Sequence, residues 1–186
     1  MKKFYEIEIC GLKRELELFP VSDSLKIAAF IMFGDVEMTV KCAEKLLELA
    51  PEYDIMITSE CKSLPLVYEM AKQAGDDNYI IARKSSKIYM RNIINSGVDS
   101  ITTANHQILC IGESEINAMK GRRVLIVDDV ISTGSSIESL EELVTKAGGE
   151  IVGKMAVLAE GDAATRDDII FIEKLPLFDA EGNVIS

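Results

Sequence analysis

The sequence predicts an α/β domain built on a doubly wound, mainly parallel sheet, and three observations carry that expectation. Val124, Leu125, Ile126 and Val127 are apolar at every position, which suits a central parallel strand covered on both faces. Strand-like runs recur near residues 54–58, 79–83, 106–111, 123–128 and 151–158, with helical patterns between several of them, the alternation that builds a parallel sheet. The run at 124–127 leads into Asp128, Asp129 and then a Thr/Gly/Ser turn, and sheets of this kind carry function at the carboxyl ends of their strands.

The elements follow in order. Residues 5–19 alternate in two halves about Gly11, the pattern of a β-hairpin, so residues 1–34 form an N-terminal addition to the sheet. Asp35 can cap a helix whose buried face is Val36, Val40, Ala43, Leu46 and Leu47. The strand at 54–58 is followed by the polar turn Glu60-Cys61-Lys62-Ser63 and a helix over 66–74; the strand at 79–83 runs into a basic turn. Residues 85–105 are polar, with Ser96 and Gly97 and a short regular segment around 88–94. Ile137, Leu140, Leu143 and Val144 recur at helical spacing over 137–146, and the C-terminal strand at 151–158 ends at Glu160-Gly161-Asp162. There is no internal repeat, and 186 residues suffice for one domain, 1–186, with a real core.

Composition excludes some classes. Lys and Arg number 20 against 31 Asp and Glu, a net charge of −11, which disfavours a surface for nucleic acid. Cys10, Cys42, Cys61 and Cys110 are scattered without a CxxC pair, and the single histidine, His106, sits in an apolar run. Neither a zinc site nor a disulfide framework is suggested; reduced thiols of a cytoplasmic protein are the expectation. The apolar stretch 27–33 is too short to span a membrane, and no secretory leader is recognisable.

The chemistry concentrates at 124–136. Ser132, Thr133, Gly134, Ser135 and Ser136 supply hydroxyls and a glycine directly before a helix, whose free N-terminal N–H groups favour an anion. No GxxxxGK[ST] pattern exists, so a phosphate monoester is expected rather than a nucleoside triphosphate. In extended backbone Asp128 and Asp129 point to opposite sides, which suits two separately aimed acceptors for ribose hydroxyls better than a proton-sharing dyad. Capping of the turn by Asp128 and of the helix by the serines is the competing reading.

This string closely resembles the 5-phosphoribosyl 1-pyrophosphate (PRPP) motif of the type I phosphoribosyltransferases, in which an apolar strand, two acids and two further residues precede small-Thr-Gly-small-Ser/Thr. The resemblance implies the type I fold with a small hood from N- and C-terminal segments, Asp128 and Asp129 on the ribose, and Ser132, Thr133, Gly134, Ser135 and Ser136 on the 5-phosphate. Glu60, Cys61, Lys62 and Ser63 are similar to the adenine-type pyrophosphate loop, with Ser63 in place of its glycine; that loop often holds a non-proline cis peptide, here near Glu60 and Cys61. Arg83, Lys84 and Lys87 resemble the Arg-Lys-x-x-Lys run of adenine and xanthine enzymes, whose basic side chains reach pyrophosphate, sometimes across a dimer interface. For Lys87 and Arg91 a solvated charged turn remains the competing reading.

The resemblance further implies a mobile catalytic loop at 84–105, closing over PRPP to exclude water. Ser100-Ile101-Thr102-Thr103 takes the place of a Tyr-x-Leu-Glu-Tyr-Gly segment, so Thr102 and Thr103 could only donate hydrogen bonds. At the base, Glu160 is an acceptor that suits a 6-amino group, and Phe19 and Val21 of the hood would pack on the ring; a turn-capping Glu160 is the competing reading. The implied activity is Mg²⁺-assisted transfer of phosphoribose from PRPP to a purine, adenine-type, by a homodimeric salvage enzyme. The alternatives are a PRPP-binding regulator of the purine-repressor type, weighed against by the charge and by the absence of a winged-helix segment ahead of the hairpin, and a xanthine or other oxo-purine enzyme.

Overall fold

The structure of the protein is a computed structural model, and it describes residues 2–97 and 108–185. Strands β1 (Phe4–Ile9) and β2 (Leu12–Pro20) form the hairpin. Their connection is the pair Cys10 (φ 52°) and Gly11 (φ 77°), both left-handed, the conformation of the two-residue turn whose twist matches its strands. Ile7, Ile9, Leu16 and Leu18 face inward while the intervening glutamates face out. A short β3 (Lys26–Ala28) pairs antiparallel with the end of β2.

Helix α1 (Val36–Leu49) begins where Asp35 accepts the Met38 N–H at 3.1 Å, and Arg14 of β2 forks onto the same carboxylate at 2.7 and 3.1 Å. The capping expectation holds, but the buried face is Met38, Thr39, Cys42, Ala43 and Leu46. Val36 and Val40, expected inside, are exposed. Two overlapping apolar stripes at i, i+4 spacing exist on this helix, and docking against the hairpin and sheet selects the one through Met38, Cys42 and Leu46.

The main sheet comprises β4 (Ile55–Ser59), β5 (Ile80–Ala82), β8 (Arg123–Ile131), β9 (Glu150–Glu160) and β10 (Ile170–Leu175); the two-residue β6 (Ile94–Asn95) and β7 (Cys110–Ile111) lie outside it. Its strand order is β10-β9-β8-β4-β5, all neighbours parallel, which is the expected doubly wound α/β architecture. Helices α1 and α2 (Leu64–Ala74) cover one face, α3 (Glu113–Met119) and α4 (Ser135–Ala147) the other. Central strand β8 serves both layers: Leu125 and Val127 enter the α1/α2 core, Val124 and Ile126 the α3/α4 core. That is why its sequence is a continuous apolar run rather than an alternating one.

One strand departs from expectation. Of residues 106–111 only Cys110–Ile111 is a described strand, and it pairs antiparallel with β6 instead of joining the sheet. Backbone bonds of 2.8 Å in both directions between Arg83 and Cys110 turn this segment back across the end of β5. His106 lies outside the described residues. The fifth parallel strand is β10, a partly exposed edge strand to which the sequence pattern assigns nothing.

Beyond β10 the chain returns to the hairpin. Phe178 is buried edge-on to Tyr5, with ring centroids 5.0 Å apart, and exchanges backbone hydrogen bonds with Lys26 at 2.8 and 3.0 Å. This tie holds residues 26–31 over the carboxyl end of the sheet. Among the described residues no helix is long and apolar enough to cross a membrane.

Candidate active site

The sheet order places a topological switch between β4 and β8, since the chain leaves β4 toward β5 on one side and β8 lies on the other. Parallel strands that diverge in this way open a crevice beyond their carboxyl ends. The crevice is present as a cavity of about 480 Å³, floored by Asp128, Asp129, Val130 and Ser132, flanked by Ser59, Cys61 and Lys62 after β4, and walled by residues 27–31, Glu160 and Leu175.

Asp128 and Asp129 are both buried at 4 % exposure. The two carboxylates do not diverge as extended backbone alone would have them: Asp128 folds round to accept its neighbour's backbone N–H at 2.8 Å. One ligand oxygen of each and the Cys61 sulfur lie within 4.8 Å of one another. Burial first, and then the adjacent Asp129 charge, pushes the Asp128 carboxyl up to about 7. The expectation that the two acids point to opposite sides is therefore corrected: the Asp128 side chain, captured by the next amide, stays with an oxygen within 4.8 Å of one from Asp129.

The turn after β4 is tightly knit. Thr58 and Ser63 share a buried hydroxyl hydrogen bond of 2.6 Å, and the Cys61 N–H donates to the Ser59 carbonyl at 2.8 Å. Ser63 has an ordinary right-handed φ of −72° at the start of α2, so nothing in this turn requires the glycine it replaces. No cis peptide bond occurs among the described residues, against the expectation for Glu60 and Cys61; the hydrogen bond from the Cys61 N–H back to the Ser59 carbonyl makes the bend instead. The Cys61 thiol lies 3.6 Å from Asp128 Oδ1, and burial and that carboxylate both raise its pKa, which keeps it protonated rather than nucleophilic.

Lys62 reaches inward. Its Nζ is 2.9 Å from Asp129 Oδ2, an ion pair outside hydrogen-bond angles, and it donates to the Phe30 carbonyl at 3.1 Å. It thus ties the acids to the wall. Glu160 lies in the same cavity, with its carboxyl raised by burial against an opposing effect of Lys62, and its side chain caps nothing.

Ser132, Thr133, Gly134, Ser135 and Ser136 curl into a small recess at the start of α4. Gly134 holds a left-handed φ of 89° at the N-cap, and no side chain caps the helix there. The first N–H groups of α4 therefore face an open anion site.

Other expected residues are not brought in. Arg83 pairs with Glu60 (Nη1 to Oε1, 2.9 Å), and this bond holds Glu60 below the usual carboxylate range; Glu60 also accepts the Lys84 N–H at 3.3 Å. Lys87 Nζ donates to Ser85 at 3.1 Å, and none of the three cations lines the cavity. Phe19 and Val21 are exposed and are not among the residues that line the cavity, although Phe19 is paired with Ile27, which is; it is the chain from Ile27 onward that continues over the sheet. The wall at 27–31 and Leu175 escaped the sequence reading; the apolar run after the hairpin was the available signal. Ser100, Thr102 and Thr103 lie outside the described residues, as does the 98–105 part of the expected loop.

Fold and site together define the class: a doubly wound α/β domain with an acid pair and an anion cradle at the switch point of its sheet. The family model described as phosphoribosyl transferase domain matches residues 41–183. The chain belongs to the phosphoribosyltransferase family. It is 35 % identical over 158 residues to an adenine phosphoribosyltransferase of Thermotoga maritima, covering 84 % of this chain and 87 % of that one. An adenine phosphoribosyltransferase of Acetivibrio thermocellus is 31 % identical, with 75 % and 80 % covered. Among solved structures, adenine phosphoribosyltransferase from Thermoanaerobacter pseudethanolicus superimposes with a TM-score of 0.62 at 21 % identity, covering 92 % of this chain and 95 % of that one. The enzyme from Leishmania tarentolae gives 0.63 at 20 %, with 93 % and 83 % covered. These likenesses establish the type I fold.

Proposed function

We propose that this chain is an adenine-type purine phosphoribosyltransferase, forming a nucleoside 5′-monophosphate and pyrophosphate from PRPP and the base. The observation that carries the reading is one continuous site: an anion cradle, an acid pair and an apolar-walled cavity of about 480 Å³ with Glu160 at its rim. The donor's 5-phosphate sits on Ser132–Ser136 and its ribose hydroxyls on Asp128 and Asp129. The base lies against residues 27–31, with Glu160 accepting from the 6-amino group.

A purine N–H nitrogen forms the new bond to the anomeric carbon as the bond to pyrophosphate breaks and its electron pair leaves with the pyrophosphate, and the proton of that nitrogen passes to water. The acids orient the sugar and offset its cationic character, and Lys62, once it turns from Asp129, meets the growing negative charge. Asp128 and Asp129 offer hard carboxylate oxygens that fit Mg²⁺, whereas the protonated Cys61 thiol does not. Bound with the donor, Mg²⁺ supplies charge neutralisation of the pyrophosphate.

The test is nucleotide formation from PRPP and Mg²⁺ with adenine, hypoxanthine, guanine, xanthine and pyrimidines. Adenine is expected to dominate, and Glu160→Gln to erode that preference. Preference for an oxo-purine would sink the adenine assignment, an unchanged preference in the variant would remove Glu160, and PRPP binding without product would favour a sensor.

The reading extends to a cytoplasmic homodimer, with a hood from the hairpin and C-terminal segment and a catalytic loop over 84–105. Four free cysteines suit a reducing compartment. Ile31, Phe33, Val36 and Tyr68 are exposed apolar side chains near the shallow hollow between α1 and α2. Arg83, Lys84 and Lys87, clear of their own cavity, would serve the partner's. Sedimentation is expected to give twice the 20.5 kDa chain mass, and a monomer at micromolar concentration would defeat the dimer.

A further inference from the structure

We propose that Arg166 binds the donor's 5-phosphate, as the cation of a cradle whose own five residues are uncharged. This rests on the phosphoribosyl donor reading above. Arg166 follows the 3-10 turn Gly161–Thr165, with its backbone N–H on the Ala163 carbonyl at 3.2 Å. From there the side chain crosses to the start of α4. Nε and Nη2 are spent on a fork to Asp168, at 2.8 and 2.7 Å. The remaining nitrogen, Nη1, has no acceptor among the described residues and lies against the cradle: a Cβ built on Gly134 would stand 2.8 Å from it.

The guanidinium is held rather than loose. Asp168 is paired with Lys154, which is 14 % exposed and also pairs with Glu141 of α4 at 2.7 Å. The network Glu141–Lys154–Asp168–Arg166 therefore anchors Nη1 to the same helix whose N-terminus forms the anion site. A fork satisfied on two nitrogens with the third aimed elsewhere is a geometry that Arg supports and Lys does not. The need for a cation here is local: the chain carries −11 overall, Glu138 occupies the first turn of α4, and Lys62 is engaged at Asp129. A phosphate dianion seated on Ser132–Ser136 would meet the α4 amides from below and Nη1 from the flank.

The experiment compares calorimetric binding of ribose 5-phosphate and of pyrophosphate, with KM and kcat, for the full chain, Arg166→Gln, Arg166→Lys and Asp168→Asn. Arg166→Gln is expected to weaken ribose 5-phosphate, and to raise KM for PRPP, by roughly tenfold to a hundredfold. Its kcat should stay within about twofold, because the phosphate contact is uniform through the reaction. Pyrophosphate binding should not change, Lys should recover part of the loss, and Asp168→Asn should fall between. A folded Arg166→Gln that binds ribose 5-phosphate like the parent, or that loses both ligands alike, overturns the proposal. Should that variant not fold, Arg166→Gln with Asp168→Asn, which leaves no carboxylate unpaired by the change, makes the same comparison. A parent chain that binds ribose 5-phosphate but makes no nucleotide defeats the transferase reading while the Arg166 comparison still decides. A parent that binds neither ribose 5-phosphate nor PRPP overturns both.

Discussion

Replacing Asp128 and Asp129 together by Asn is expected to cut nucleotide formation by on the order of a thousandfold or more, since preorganised charge at a developing transition state contributes about 10²–10³ per group. Both residues sit at the floor of the cavity toward the end of β8, and Asp128 also borders the cradle. An unaltered rate would overturn their assignment. The same site makes an opposite prediction for stability. Folding raises the Asp128 carboxyl from its ordinary value of 3.8 to about 7, so the fold favours its protonated form. That contribution is fully present below the unfolded pKa and is lost as pH rises through 7. The ligand-free chain should therefore melt at progressively lower temperature from about pH 4 to about 7 and level off above it, and Asp128→Asn should flatten the slope and raise the Tm at pH 8. A parent Tm that is level over this range, or a slope that survives in Asp128→Asn, would show that the acid pair is not strained. Stability is here given up where charge is needed for binding.

Gly134→Ala is expected to raise the KM for PRPP by about tenfold while leaving a folded chain, since a left-handed conformation disfavours an L residue by about 1–2 kcal/mol. The left-handed φ of 89° is one cause. The other is space: the new Cβ would stand 2.8 Å from Arg166 Nη1, closer than such contacts allow, so the guanidinium must move off the cradle or the loop must open. Either movement degrades the anion site. Differential scanning fluorimetry and steady-state kinetics check both halves, and a Gly134→Ala chain with the parent's KM would remove the strict requirement for glycine.

What could be read in advance divides by distance along the chain. The cradle, the acids and the strand that carries them lie within one uninterrupted stretch, where strand, turn and helix start are set by local backbone preferences. The hairpin turn at Cys10-Gly11 and the Asp35 cap are local in the same sense. The face of α1 was not, because Val36 and Val40 compose as plausible a stripe as Met38 and Cys42 until the helix docks. Nor was the base wall: Phe19 and Val21 are near in sequence to the residues that form it, but it is the returning chain, from Ile27 in β3 to Ile31, that runs over the sheet, and Phe19 and Val21 stay exposed outside the cavity.

The charges show the same division. Lys62, Arg83, Lys84 and Lys87 were legible as basic turns at strand ends, yet only Lys62 enters the cavity within one chain, since Glu60 claims Arg83. Arg166 carried no motif. It reaches Gly134 only because β10 joins the sheet beside β9 and brings the intervening turn against α4. By itself the sequence determined the fold class and the donor's phosphate turn, since contiguous residues share one local geometry. The tertiary structure alone decided which distant side chains surround that turn, because their convergence depends on strand order and helix docking, to which no single segment's pattern is sensitive.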